Sequence, residues 1–175
     1  MRRAAAVILL CASLGCAHAS GPAAPPPSSP SRLLGEPLPA FRRPTLQGAT
    51  FDTAASPGQV IVVDFFADYC KPCQRSLPAL EALHRQQPGL TIVGVSLDDT
   101  PANAWRSVRR HRLTFPVIHD AGNVLAGRMR VTELPISFVV DGDGRVRWVG
   151  GPEQPGDALE RAVATFSRAH RELRD

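Results

Sequence analysis

The stretch Phe65–Ser76, FFADYCKPCQRS, constrains this chain more than any other part of it. Its two cysteines, Cys70 and Cys73, stand directly behind QVIVVDFF (Gln59–Phe66), a nearly unbroken apolar, β-branched run of the kind a strand buried on both faces requires. After them, CQRSLPALEALHRQ sets Cys73, Leu77, Leu80 and Leu83 on one side of a helix. A C-x-x-C pair at the start of a helix has free backbone N–H groups and the positive end of the helix dipole beside it, so Cys70 is expected to be held partly as thiolate. Lys71 adds a positive charge, and Pro72 fixes the backbone and removes a competing donor. Cys73, on the apolar face, is expected to be the more buried thiol and to resolve a mixed disulfide formed at Cys70. Asp64 interrupts the apolar run with a carboxylate. Desolvation there should raise its pKa and make it the base for the buried thiol; the alternative is a strand-end carboxylate facing water.

Other uses of the cysteines stay open at this point. Zinc needs four ligands, but there is no second C-x-x-C, and His84, His111 and His119 lack ligand spacing. A copper-handling module would pair the thiols with a histidine such as His119, and a sensor would use the pair without turnover. A purely structural disulfide gains little, because so short a loop hardly restricts the unfolded chain.

Around this centre, strands alternate with helices. LTIVGVSL (Leu90–Leu97) repeats the buried-strand pattern, and Thr100 followed by Pro101 reads as a cap and first turn for a helix running to about Arg110. TFPVIHD (Thr114–Asp120) is a short strand and AGNVLAGRM a short helix. ISFVVDGDGRVRWVG (Ile136–Gly150) is a hairpin about DGDG. A helix from about Gly156 to Arg171 turns Leu159, Ala162, Val163 and Phe166 inward, and LPAFRRPTLQGATFD predicts a further hairpin about Gln47 and Gly48. Pro78 falls inside the first helix, where it removes a backbone hydrogen bond and kinks it. The expectation is α/β, a mixed β-sheet flanked by helices.

The first residues, MRRAAAVILLCASLGC, read as an export signal whose apolar core is too short to span a membrane in the mature protein. Ser13–Cys16, SLGC, resembles a bacterial lipobox that would lipidate Cys16; AHA at Ala17–Ala19 offers ordinary cleavage instead. A retained anchor is the third reading, and all three place the domain outside the cytoplasm, on the periplasmic or cell-envelope side. The expected division is 1–16 signal, 17–33 tether and 34–175 domain. The tether rests on SGPAAPPPSSPS (Ser20–Ser31), whose five prolines and four serines have nothing to bury and should stay extended. Without Arg2 and Arg3 of the signal, 18 basic residues face 16 acidic ones, so charge gives no case for nucleic acid. One basic patch survives, WRSVRRHR (Trp105–Arg112), either a solvated face or a docking surface for an acidic partner.

VVDFFADYCKPC resembles the active-site strand and motif of the thioredoxin superfamily, and the body resembles its exported, TlpA-like thiol:disulfide oxidoreductases over about Leu34–Arg171. The resemblance implies a thioredoxin-like fold with an N-terminal β-hairpin and a helical insertion around Trp105 and FPVIHD. Tyr69 stands where an aromatic residue precedes the first cysteine, and VTELPISFVV matches the segment carrying the family's cis-proline. Pro135 would then face Cys70 with Leu134 before it, the two binding an extended substrate by strand addition. The implied substrate-binding set is Tyr69, Lys71, Pro72, Leu134 and Pro135; no cofactor is implied beyond a redox-active Cys70–Cys73 disulfide. The implied partners are protein thiols and disulfides and a membrane electron donor, with attachment through a lipid anchor. Two positions depart from the TlpA-like pattern. Ser76 replaces the glutamate common in branches serving cytochrome c maturation, and Asp64 stands where that branch often has asparagine. A reductant is the expected direction; a copper-handling or sensing module and a thiol peroxidase are the alternatives.

Overall fold

The computed structural model describes residues 23–27, 29–154 and 156–172, with side chains as far as 168. The expected signal, Cys16 and most of the expected tether lie outside them. Seven strands and four helices follow in order: β1 (Arg42–Pro44), β2 (Thr50–Asp52), β3 (Ile61–Phe66), α1 (Lys71–Gln86), β4 (Thr91–Ser96), α2 (Pro101–His111), β5 (Val117–His119), α3 (Val124–Arg128), β6 (Ile136–Val140), β7 (Val146–Gly150) and α4 (Ala158–Glu172). The main sheet has the order β5-β4-β3-β6-β7. β3 runs parallel to β4, as does β4 to β5, while β6 is antiparallel to both β3 and β7. This is the mixed α/β sheet expected from the alternation, and β1–β2 is the expected hairpin, with Gly48 at φ 90° in its turn.

Alternation along β3 explains both halves of the core. Val62 and Phe66 point to one face, where they pack with Leu77, Leu80 and Leu83 of α1, Val108 of α2 and Ala162 and Val163 of α4. Ile61, Val63 and Phe65 point to the other, with Leu125 of α3 and Phe41 and Phe51 of the hairpin. Asp64, between Val62 and Phe66, therefore faces the side covered by α1. Leu77 and Cys73 are fully buried there, and burying a leucine of this kind stabilises by about 2 kcal/mol. α2 begins as expected, Thr100 Oγ1 accepting the Asn103 N–H at 3.4 Å and Pro101 occupying the first turn. Pro78 lies within α1.

The N-terminal segment lines both sheet edges. Gly35 N–H donates to the Val146 carbonyl and Leu38 N–H to that of Gly144, each at 2.8 Å, so this stretch runs beside β7. At the opposite edge Leu46 N–H donates to Val117 O at 2.7 Å, and the Gln47 amide bonds Phe115 O and Val117 N, both at 3.1 Å. At these positions the outer backbone groups of the two edge strands are already paired. Within the described part of the Pro/Ser-rich stretch there are contacts with the domain: Ser29 is buried, its hydroxyl donates to Glu133 Oε1 at 2.6 Å, and Trp148 Nε1 donates to Pro26 O at 3.3 Å. Proline has little conformational entropy left to lose, which lowers what ordering this strap costs.

Candidate active site

Cys70 is the N-cap of α1, and its Sγ accepts the Cys73 N–H at 3.2 Å. Pro72 in the first turn leaves no donor of its own to compete. The two cysteines form a disulfide with Cα atoms 5.2 Å apart. Both cysteines are buried, but unequally: Cys73 retains no exposure and Cys70, at the helix start, 7%. Tyr69 beside it is 71% exposed, and Lys71 also faces solvent. The Leu134–Pro135 peptide bond is cis; Leu134 is half-buried and packs against both core clusters, and Pro135 is buried.

Asp64 is 3% exposed and central in the sheet, opposite Gly94 of β4 and Ser137 of β6. The Ser137 hydroxyl donates to Oδ1 at 2.6 Å, while Oδ2 has no hydrogen-bond partner among the described residues. Burial pushes the Asp64 carboxyl from 3.8 to about 7; the Ser137 bond pulls the other way and loses. The water-facing alternative for Asp64 is therefore set aside. Asp64 and Ser137 line a cavity of about 360 Å³ with Pro72, Ser76, Arg75 and Pro135. The structure thus brings the buried acid, the first turns of the C-x-x-C helix and the cis-proline around one space, although neither cysteine lines it.

A second group of contacts holds the loop before Cys70. Asp98 Oδ1 accepts the Asp68 N–H at 2.9 Å, and the Asp68 carboxylate takes Ser107 Oγ, Arg106 and Arg110. Gln74, next to Cys73, donates to Ala67 O at 3.3 Å and to Ser107 Oγ at 3.4 Å. Its Oε1 accepts from Arg110 at 2.9 Å and lies 2.6 Å from His111 Nε2, which must carry the hydrogen because the amide nitrogen is committed elsewhere. Asp68, Gln74 and Ser107 escaped the sequence reading, since they meet only once α2 docks on α1. Ser137 had a readable signal: a hydroxyl in the apolar run ISFVV.

His119, the histidine a copper-handling module would use, has its Nε2 2.8 Å from Asp98 O. Among the described residues no group of three or more histidine, cysteine, aspartate or glutamate side chains is arranged to hold a metal.

Comparison with known proteins agrees with this geometry. The pattern of the AhpC/TSA family matches residues 34–149. Thiol-disulfide oxidoreductase ResA of Bacillus cereus is 30% identical over 115 residues, covering 65% of this chain and 66% of that protein. A secreted Mycobacterium tuberculosis disulfide oxidoreductase homologous to E. coli DsbE superposes with a TM-score of 0.66 at 28% identity, covering 71% of this chain and 95% of that one. A thiol:disulfide interchange protein of the thioredoxin family from Chlorobium tepidum gives 0.67 at 25% identity, covering 79% and 99%.

Proposed function

The chain belongs to the AhpC/TSA family and carries the thioredoxin-like fold and dithiol centre of its thiol:disulfide oxidoreductase relatives, and from that premise we propose that it reduces disulfides of exported proteins. The observation that carries the proposal is the asymmetry of the pair: Cys70 caps a helix N-terminus and keeps 7% exposure, while Cys73 keeps none. In the reduced protein, the Cys70 thiolate attacks a substrate disulfide, forming a mixed disulfide and releasing one substrate thiolate. Cys73, deprotonated with the help of Asp64, then attacks Cys70 Sγ, which re-forms the Cys70–Cys73 bond and releases the second substrate thiol. Two electrons pass to the substrate, and an external dithiol returns them. Leu134 and Pro135 would align the partner chain, and Tyr69 would cover it.

Export is supported by the leader-like first residues and by the secreted relative from M. tuberculosis. We assign Cys16 to lipid attachment and electron supply to a membrane donor; Ser76 in place of the family's glutamate favours general redox homeostasis over cytochrome c maturation.

The test uses protein from residue 20 onward, with insulin as substrate and dithiothreitol as electron source. Turnover should vanish in Cys70→Ser, and Cys73→Ser should accumulate a mixed disulfide. No insulin reduction together with one retained copper per chain would instead make this a binding module. Peroxide consumption that depends on Cys70 would make it a peroxidase, the reading to which the family's breadth lends weight.

A further inference from the structure

We propose that the α1–α2 bank beside Cys70 is a docking surface for protein disulfides flanked on one side by aspartate or glutamate. The inference rests on the disulfide-exchange reading and names its substrate class.

The charges carry it. Lys71 and Arg75 stand exposed on the first turns of α1, and among the described residues no carboxylate pairs with either. Arg106 and Arg110 of α2 keep 52% and 48% of their side chains exposed, although both bond the Asp68 carboxylate at 3.0 Å. Two guanidinium groups sharing one carboxylate leave a positive charge over. Adding exposed Arg109, exposed Asp99 and buried Asp98, five cations stand against three carboxylates on the first turns of α1, on α2 and in the loops that precede them. The position is fixed by structure, since Asp68 lies two residues before Cys70 and Arg110 also bonds Gln74, next to Cys73. A basic patch placed only for solubility would have no reason to be anchored to the loop that bears the reactive sulfur.

Beyond Arg75, which itself lines the cavity, the charges on the far side are acidic: Glu133 lies two residues before Pro135, Glu160 lines the same cavity, and Glu153 is exposed in the loop before α4. A substrate acidic throughout would be repelled there, so the acidic residues belong on the flank that lies over α1 and α2. Complementary charge of this kind raises encounter rates by tenfold or more at low salt and suppresses wrong partners.

The test compares disulfide-linked peptides that differ only beside the cysteine: glutamates before it, glutamates after it, lysines on either side, or neutral residues. At about 20 mM salt, one of the two glutamate peptides should exceed the neutral peptide at least fivefold in kcat/KM, with lysine peptides slower. At about 1 M salt, where screening acts over about 3 Å, the preference should fall below twofold. In Lys71→Glu/Arg75→Glu the glutamate-to-lysine ratio should invert, a ratio that does not depend on how much of the variant folds. Equal rates for all four peptides in the wild type would overturn the docking proposal and leave disulfide exchange standing. Failure to reduce any of them, the neutral one included, would overturn both.

Discussion

At the scale of single residues, Asp64 is the group whose environment makes the sharpest demand. Its folded pKa of about 7 lies above the ordinary 3.8, so the folded state holds the proton more tightly than the unfolded one. Between pH 4 and 7 the native protein therefore binds more protons than the unfolded chain, and stability must fall as pH rises through that window and level off above it. Each tenfold change in ionisation is about 1.4 kcal/mol, which sets a loss of roughly 4 to 5 kcal/mol. Glu81 works in the opposite sense. Burial opposes its ionisation, but the Thr114 N–H and hydroxyl and the Arg85 cation outweigh burial and hold its pKa down, so its contribution is lost in acid. Urea unfolding of oxidised Asp64→Asn at pH 5 and pH 8 separates the two: the variant should lose the decline between these values and exceed the wild type at pH 8. A wild type equally stable at both would show that the carboxylate is solvated. The burial of Asp64 was legible in the sequence because seven apolar neighbours in Val60–Ala67 allow a carboxylate no other place. Ser137 carries a local signal as a hydroxyl in an apolar run, but its pairing with Asp64 does not, because it reaches the carboxylate across a strand pairing 73 residues distant in sequence.

At the scale of elements, legibility follows the range of the interaction. Helix starts at Cys70 and Thr100, the hairpin about Gly48 and the β3 and β4 runs all depend on neighbours within a few positions, and the reading placed each within two residues. The strap is the contrary case. Composition alone describes Pro26–Ser29 as an extended spacer, and its anchors are Trp148 and Glu133, 122 and 104 residues away. A charge-assisted hydrogen bond of this kind contributes about 1.5 to 3 kcal/mol. Ser29→Ala should therefore cost about 1 kcal/mol or more and speed proteolysis within residues 23–34. Because Glu133 lies two residues before Pro135, KM for a protein disulfide should shift while reduction of a small aromatic disulfide stays as it was. Unchanged proteolysis would show that the strap is held without Ser29.

For the whole molecule, the direction of electron flow is a competition between the two ends of the disulfide. At Cys70, Lys71 and the N-terminus of α1 stabilise the reduced thiolate and so make the oxidised protein a stronger oxidant. At Cys73, full burial beneath α1 leaves a free thiol or thiolate without solvent, and a second ionisable group, Asp64, is buried on the same face. Reduction places a thiolate and a buried carboxyl in one apolar layer, whereas the disulfide removes two titrating sulfurs from it. Burial acts on a fully desolvated group and the exposed lysine through solvent, so the inner end should prevail, and the oxidised form should be the more stable fold. A potential nearer the roughly −270 mV of thioredoxin than the roughly −120 mV of a strong oxidant follows, with every 30 mV worth about 1.4 kcal/mol of difference between the two folded states. Thermal unfolding of oxidised and reduced protein, together with a glutathione or dithiothreitol titration, measures both sides of that linkage. Oxidised protein should melt higher, and Lys71→Ala should move the potential further negative by removing a charge that favours the reduced thiolate. A reduced form that outlasts the oxidised one would place the balance at Cys70 and make the protein a donor of disulfides.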